Sequence, residues 1–130
     1  MPNVYIPRLE SDKWRGDRPL MAREKLERKI VANLVAYMGA AGFVPEYVWD
    51  GGCKEKCHDA KSAMEAIFAV DESSLVFRKP GGKAHSVVLV LGNDGFDVIA
   101  DWGYSEGDAD GFNAAMEAFS VIVDEKWGPK

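Results

Sequence analysis

The sequence predicts an α+β domain: an antiparallel β-meander with flanking helices, in the order α-β-α-β-β-β-α, preceded by an extended N-terminal arm. Three observations carry this. Two long stretches place apolar residues three and four apart, as a helix with one buried face requires. Three short β-type runs follow one another, separated only by glycine-containing turns. No repeat, low-complexity segment or long linker divides the 130 residues, so residues 20–130 read as one domain and residues 1–19 as the arm.

The arm, Met1–Pro19, contains Pro2, Pro7 and Pro19, which break helix and favour extended backbone. Val4, Tyr5, Ile6, Leu9 and Trp14 are too apolar for a free tail, so the arm is expected to lie on its own domain or on a neighbouring subunit. Leu20–Ala41 reads as the first helix, with Leu26, Ile30, Val31, Leu34, Val35 and Met38 as its core stripe and Arg23, Glu24, Glu27 and Arg28 on the wet side. Gly42 is its stop. Phe43–Trp49 reads as a strand, placed at an edge by Pro45, and Asp50-Gly51-Gly52 as a turn. Asp59–Val70 is a short helix with Asp59 as N-cap.

The meander comprises Ser74–Lys79, Ala84–Leu91 and Phe96–Trp102, with turns at Pro80–Lys83 and Gly92–Gly95. The middle strand is apolar on both faces and is expected to be central and covered on each side. The last helix is expected to start at a cap on Asp108 or Asp110, with Phe112, Ala115, Met116, Phe119, Ile122, Val123 and Trp127 in helical spacing.

The charge of −5 and pI near 5.0 argue against binding long nucleic acid, which needs a basic surface. The apolar run Val87–Leu91 is too short to span a bilayer, and the N-terminus lacks the apolar core of a signal peptide. The 2 cysteines do not make a disulfide framework. These readings place the protein in the cytoplasm.

Cys53, Cys57 and His58, with His85 as a fourth group, have ligand chemistry for zinc. The spacing lacks the usual second pair, so two free thiols beside a loop is the preferred reading and no metal is expected. A Cys nucleophile activated by His58 or His85 lacks a partner to orient the base. Arg78–Lys83 sets cations beside glycine amides but has neither the spacing nor the ending of a P-loop. The carboxylates Asp94, Asp97, Asp101, Glu106, Asp108 and Asp110 lack the alternation of a calcium loop and read as a solvated face. Of the aromatic residues Trp49, Phe77, Phe96, Trp102 and Tyr104, most read as core, with Trp102 or Tyr104 partly exposed where the meander ends.

The pattern AVDESSLVF (69–77), a hairpin, VVLVLGNDGFDVIADW (87–102) and YSEGDADGFNAAMEAF (104–119), with YVWDGG (47–52) upstream, resembles small phage and metagenomic proteins of the first-described family of Thoeris anti-defence sponges. The likeness spans about Leu20–Trp127 and leaves out the arm. It is an overall pattern rather than a set of catalytic residues. It implies a non-enzymatic protein, without cofactor, that binds cyclic ADP-ribose isomers, and in some members cyclic oligonucleotides, in the cytoplasm of an infected bacterial host. It also implies a homodimer or higher homo-oligomer with ligand near subunit interfaces. Chosen from the residues themselves, the expected ligand contacts are Arg78, Lys83 and His85 for phosphate, Asn93 and Asp94 for ribose or base, and Trp102 and Tyr104 for stacking. The alternative function is a phage-encoded protein-binding inhibitor, such as an anti-CRISPR, acting through an acidic surface.

Overall fold

The structure is a computed structural model that describes residues 22–103 and 110–128. The arm therefore lies outside the described residues, as do Tyr104 and Asp108. The elements run α1 (Ala22–Ala40), β1 (Val44–Trp49), β2 (Lys54–Lys56), α2 (Ala60–Ile67), β3 (Glu72–Arg78), β4 (Ala84–Val90), β5 (Ile99–Gly103) and α3 (Phe112–Trp127). The α+β class holds, with one strand, β2, added to the expected order. All pairings are antiparallel and the sheet order is β2-β1-β3-β4-β5.

Strand β1 is therefore not an edge strand. Pro45 is still accommodated, because β2 pairs only with Tyr47–Trp49 and leaves the backbone at Pro45 free on that side. The register shift between Pro45 and Tyr47 relieves the remaining conflict with β3. Strand β5 begins three residues later than the spacing predicted. Asp97 Oδ1 accepts the Asp94 amide at 3.1 Å, and this turn occupies the residues before it.

One face of the sheet carries the core. Val48, Leu75, Phe77, Val87 and Leu89 point at Ile30, Leu34 and Met38 of α1, Ala63 and Ile67 of α2, and Phe112, Met116 and Phe119 of α3. The alternation of a strand sends Tyr47, Trp49, Ser74, Val76, Ser86, Val88 and Val90 to the opposite face. The expectation that the middle strand is covered on both sides is corrected here. Strand β4 alternates buried and half-buried residues, and none of the described helices packs on its second face.

One expected helix cap is present, one is not, and one charge expected in solvent is buried. Asp59 caps α2 as expected, in a capping box with Ser62 at 2.8 Å. Asp110 does not cap α3; Gly111, in the left-handed conformation at φ 79°, holds the N-cap position without a side-chain bond. Glu27, expected on the wet side of α1, is 1% exposed. Its burial is compensated by Arg23 Nη1 at 2.9 Å and the Gly92 amide at 2.8 Å.

Two glycines fix the approach of the helices to the sheet. A Cβ on Gly95, at φ 101°, would stand 3.1 Å from Leu26 and 3.3 Å from the Arg23 carbonyl, so its absence lets α1 meet the β4–β5 loop. A Cβ on Gly82 would stand 2.9 Å from Asp110 Oδ2. That close approach brings the β3–β4 turn against the start of α3.

Candidate functional site

At the β3–β4 turn the sequence sets out its most conspicuous cations, and the fold uses them internally. Arg78 Nε donates to Glu46 Oε2 at 3.1 Å and its Nη1 to the Gly82 carbonyl at 3.1 Å. Lys79 Nζ donates to the Asp110 carbonyl at 3.3 Å. The backbone amide of Lys83 donates to Asp110 Oδ2 at 3.0 Å, while its side chain stays exposed.

His85 is 2% exposed and its Nε2 lies 2.9 Å from the same Asp110 oxygen. Its ring stacks on Phe112 with centroids 4.7 Å apart and planes at 11°. The Lys83 amide first, then His85 and the Lys79 charge, hold the Asp110 carboxyl below the usual carboxylate range. This constellation fastens α3 to the hairpin.

The seven expected ligand contacts therefore do not meet at one place. Arg78, Lys83 and His85 sit at the β3–β4 end of the sheet. Asn93 and Asp94, both exposed, follow the far end of β4, about 20 Å away at the usual rise per strand residue. Trp102 faces the core side opposite Val87 and donates its indole N–H to Asn113 Oδ1 at 2.9 Å. Tyr104 lies outside the described residues. His85 in particular is walled off from solvent, which removes it as a direct phosphate contact.

The cysteine cluster is likewise dispersed. Cys53 precedes β2 and is exposed, whereas Cys57 follows it and is buried. Burial, with Asp59 adding to it, pushes the Cys57 thiol up to about 11, which keeps it protonated and a poor nucleophile near neutrality. Among the described residues no three His, Cys, Asp or Glu side chains are grouped to hold a metal ion.

The opposite end of the sheet is more open. A cleft of about 340 Å³ opens between the β1–β2 turn and the start of β3, lined by Trp49, Asp50, Gly51, Glu72, Ser73 and Ser74. Its volume falls within the range of small-molecule sites. Trp49 is 50% exposed, a large aromatic surface for one side chain in a folded domain. Ser73 is 4% exposed and pairs with Leu89, so its side chain faces the core; its buried hydroxyl, like Arg28 Nε and His85 Nδ1, has no hydrogen-bond partner.

Asp50 Oδ1 accepts the amides of Gly52 at 2.9 Å and Cys53 at 2.7 Å. Those two bonds, Gly52 first, lower its pKa and keep it ionised. A second cavity of about 370 Å³ adjoins this end, lined by Arg23, Glu24, Glu27, Phe68, Asp71, Leu91 and Gly92 among others.

Two cations stand across from the aromatic residues on the open face. Lys54 is the cross-strand partner of Trp49, and Lys56 that of Tyr47. Lys54 Nζ rests 4.4 Å from the centre of the Tyr47 ring, a cation–π contact on an exposed surface. Tyr47 and Trp49, two apart on one strand, therefore form an aromatic pair with lysines beside it. Flat rings can stack there and anionic groups can meet the lysines.

The sequence contained the signal for this pair. Once Phe43–Trp49 is a strand with Val48 in the core, its alternation sends Tyr47 and Trp49 to the other face. Comparison with known protein families, with characterised proteins and with solved structures finds no match to this chain.

Proposed function

We propose that this protein is a non-catalytic binder that sequesters a cyclic nucleotide signal, of the cyclic ADP-ribose type, as its resemblance to anti-defence sponges implies. The observation that supports a nucleotide is the half-exposed Trp49 beside Tyr47, with Lys54 and Lys56 paired to them across β1 and β2. A base stacked on Trp49 gains about 1–3 kcal/mol. The lysines meet the phosphates, and the cleft polar groups meet the riboses. Sequestration at nanomolar affinity needs about −12 kcal/mol, more than one open sheet face supplies. A homodimer or larger assembly provides the rest when a second chain closes over the exposed side of the ligand.

The test is release. The purified protein is incubated with cyclic ADP-ribose, desalted, heat-denatured, and the supernatant analysed by mass spectrometry. Intact ligand in stoichiometric amount is expected. Release of a cleaved product would make the protein an enzyme. Recovery of nothing, with ligand well above micromolar, would reject sequestration and favour the protein-binding inhibitor.

A further inference from the structure

The open face of the sheet is complementary to itself. Its register sets two cross-strand rows, Lys54-Trp49-Ser74-Val88-Asp101 and Lys56-Tyr47-Val76-Ser86-Gly103. Strand β3 is the middle of the five, so a two-fold axis along β3 lays each row over its own reverse. Trp49 then faces Val88 of the partner subunit, and Tyr47 faces Ser86 of the partner subunit. The small residues Ser74 and Val76 meet their own copies on the axis, so bulky side chains meet small ones in both rows. The charges match as well: Lys54 faces Asp101 of the partner subunit, and the two-fold makes that pair twice. An axis across the strands would instead set Lys54 over Lys56 of the partner subunit and gather the lysines of both copies, which is repulsive. Its one gain, Arg78 near Glu72 of the partner subunit, needs an arginine that Glu46 already holds at 3.1 Å. Along β3 the one opposing contact is between the two copies of Glu72, at the exposed end of the strand, and it limits the strength of the pairing.

We propose that a second copy of this chain closes the open face, related by a two-fold along β3, with Trp49 under Val88 of the partner subunit and Lys54 paired to Asp101 of the partner subunit. This supplies the second chain that sequestration calls for, but it does not depend on a nucleotide. At the usual strand spacing and rise the face is about 24 Å across and about 17 Å along the strands, roughly 400 Å² on each copy. A total near 800 Å² is below the roughly 1,200 Å² at which stable interfaces begin. The dimer is therefore reversible, with a Kd on the order of 10–100 µM. A flat ring lying on Trp49 enters between it and the small side chain of Val88 of the partner subunit. Such a ligand touches both copies and tightens the dimer by mass action.

The experiment is sedimentation equilibrium on the full chain without ligand, from about 5 to about 500 µM, a range that brackets the expected constant. The expected result is a monomer–dimer equilibrium. Lys54→Asp and Asp101→Lys should each weaken it at least about tenfold, because each sets like charges together at two symmetric places. The chain carrying both substitutions should return to within about threefold of the unmodified one, since the pairs are restored in reversed sense. A chain that stays monomeric across this range overturns the proposal, and is the outcome expected if the N-terminal arm occupies the face instead; it leaves nucleotide binding to be judged by the release experiment. A dimer that neither substitution weakens, or that Lys54→Asp tightens, overturns the two-fold along β3.

Discussion

The two ends of the sheet are made of similar residue types and do opposite things. At the β3–β4 end, Arg78, Lys79, Asp110 and His85 Nε2 are bonded to one another, to Glu46 and to backbone groups, and the buried His85 Nδ1 alone of this cluster has no partner. At the β1–β2 end, Trp49 is half exposed, the Ser73 hydroxyl is buried without a partner, and Lys54 rests on an aromatic ring in solvent. The lesson is that charge in a turn does not mark a site. Side-chain charge that the fold spends on its own contacts is not available to a ligand, whereas the half-exposed face of Trp49 is.

The largest effect that would sharpen this contrast lies at the first end. Phe112 is fully buried against Phe43, Phe77 and His85. Phe112→Ala should cost about 3–5 kcal/mol, read as a fall in the urea midpoint. Trp49→Ala should move that midpoint by less than about 1 kcal/mol, as surface substitutions do. Equal losses would erase the distinction between the two ends.

Next in size is the ligand effect at the second end. Trp49→Ala should weaken cyclic ADP-ribose by about 1–3 kcal/mol, or roughly tenfold to a hundredfold. Lys83→Ala should leave the affinity within about twofold, since a single exposed charge lying well beyond a Debye length of about 8 Å is largely screened. A reversal of that order in calorimetry would move the site back to the hairpin.

Sequence legibility follows the same division. The apolar stripes of α1 and α3, the Asp59 cap and the three meander strands could be read because each depends on residues close in the chain. Strand β2 could not: Lys54-Glu55-Lys56 has no apolar residue to announce it, and its pairing depends on the turn that Asp50 holds. Glu27 was misplaced because its partner amide, on Gly92, is 65 residues away. His85 and Arg78 looked available because Asp110 and Glu46 are likewise distant. Trp49 looked like core because hydrophobicity alone does not say which face of a sheet the helices will cover.

A smaller effect concerns Lys54. Lys54→Ala should weaken cyclic ADP-ribose about three- to tenfold at low salt, and the loss should shrink as salt rises and screening sets in. A salt-independent loss would mean that Lys54 acts by packing on Tyr47 instead.

The smallest expected change is in acid. The folded pKa of Asp110 is depressed by the Lys83 amide and by His85. Its contribution to stability is therefore complete above the unfolded carboxylate value of about 3.9 and is lost as pH falls through the lower folded value. Asp110→Asn should flatten the acid limb of the stability–pH curve below about pH 4. Asp50 and Asp59 are shifted the same way, so part of the limb should remain. An unchanged limb would show that Asp110 is not engaged as described.

The central claim is that the β1–β2 end of the sheet, with Trp49 half exposed, holds the ligand. It is tested most directly by titrating cyclic ADP-ribose into isotope-labelled full-length protein and following backbone amide shifts. The account predicts that the shifts cluster at Trp49–Gly51, Lys54 and Glu72–Ser74, while Arg78, Lys83 and His85 stay in place. Shifts concentrated at Arg78–His85, or none at any residue with ligand at millimolar concentration, would contradict it.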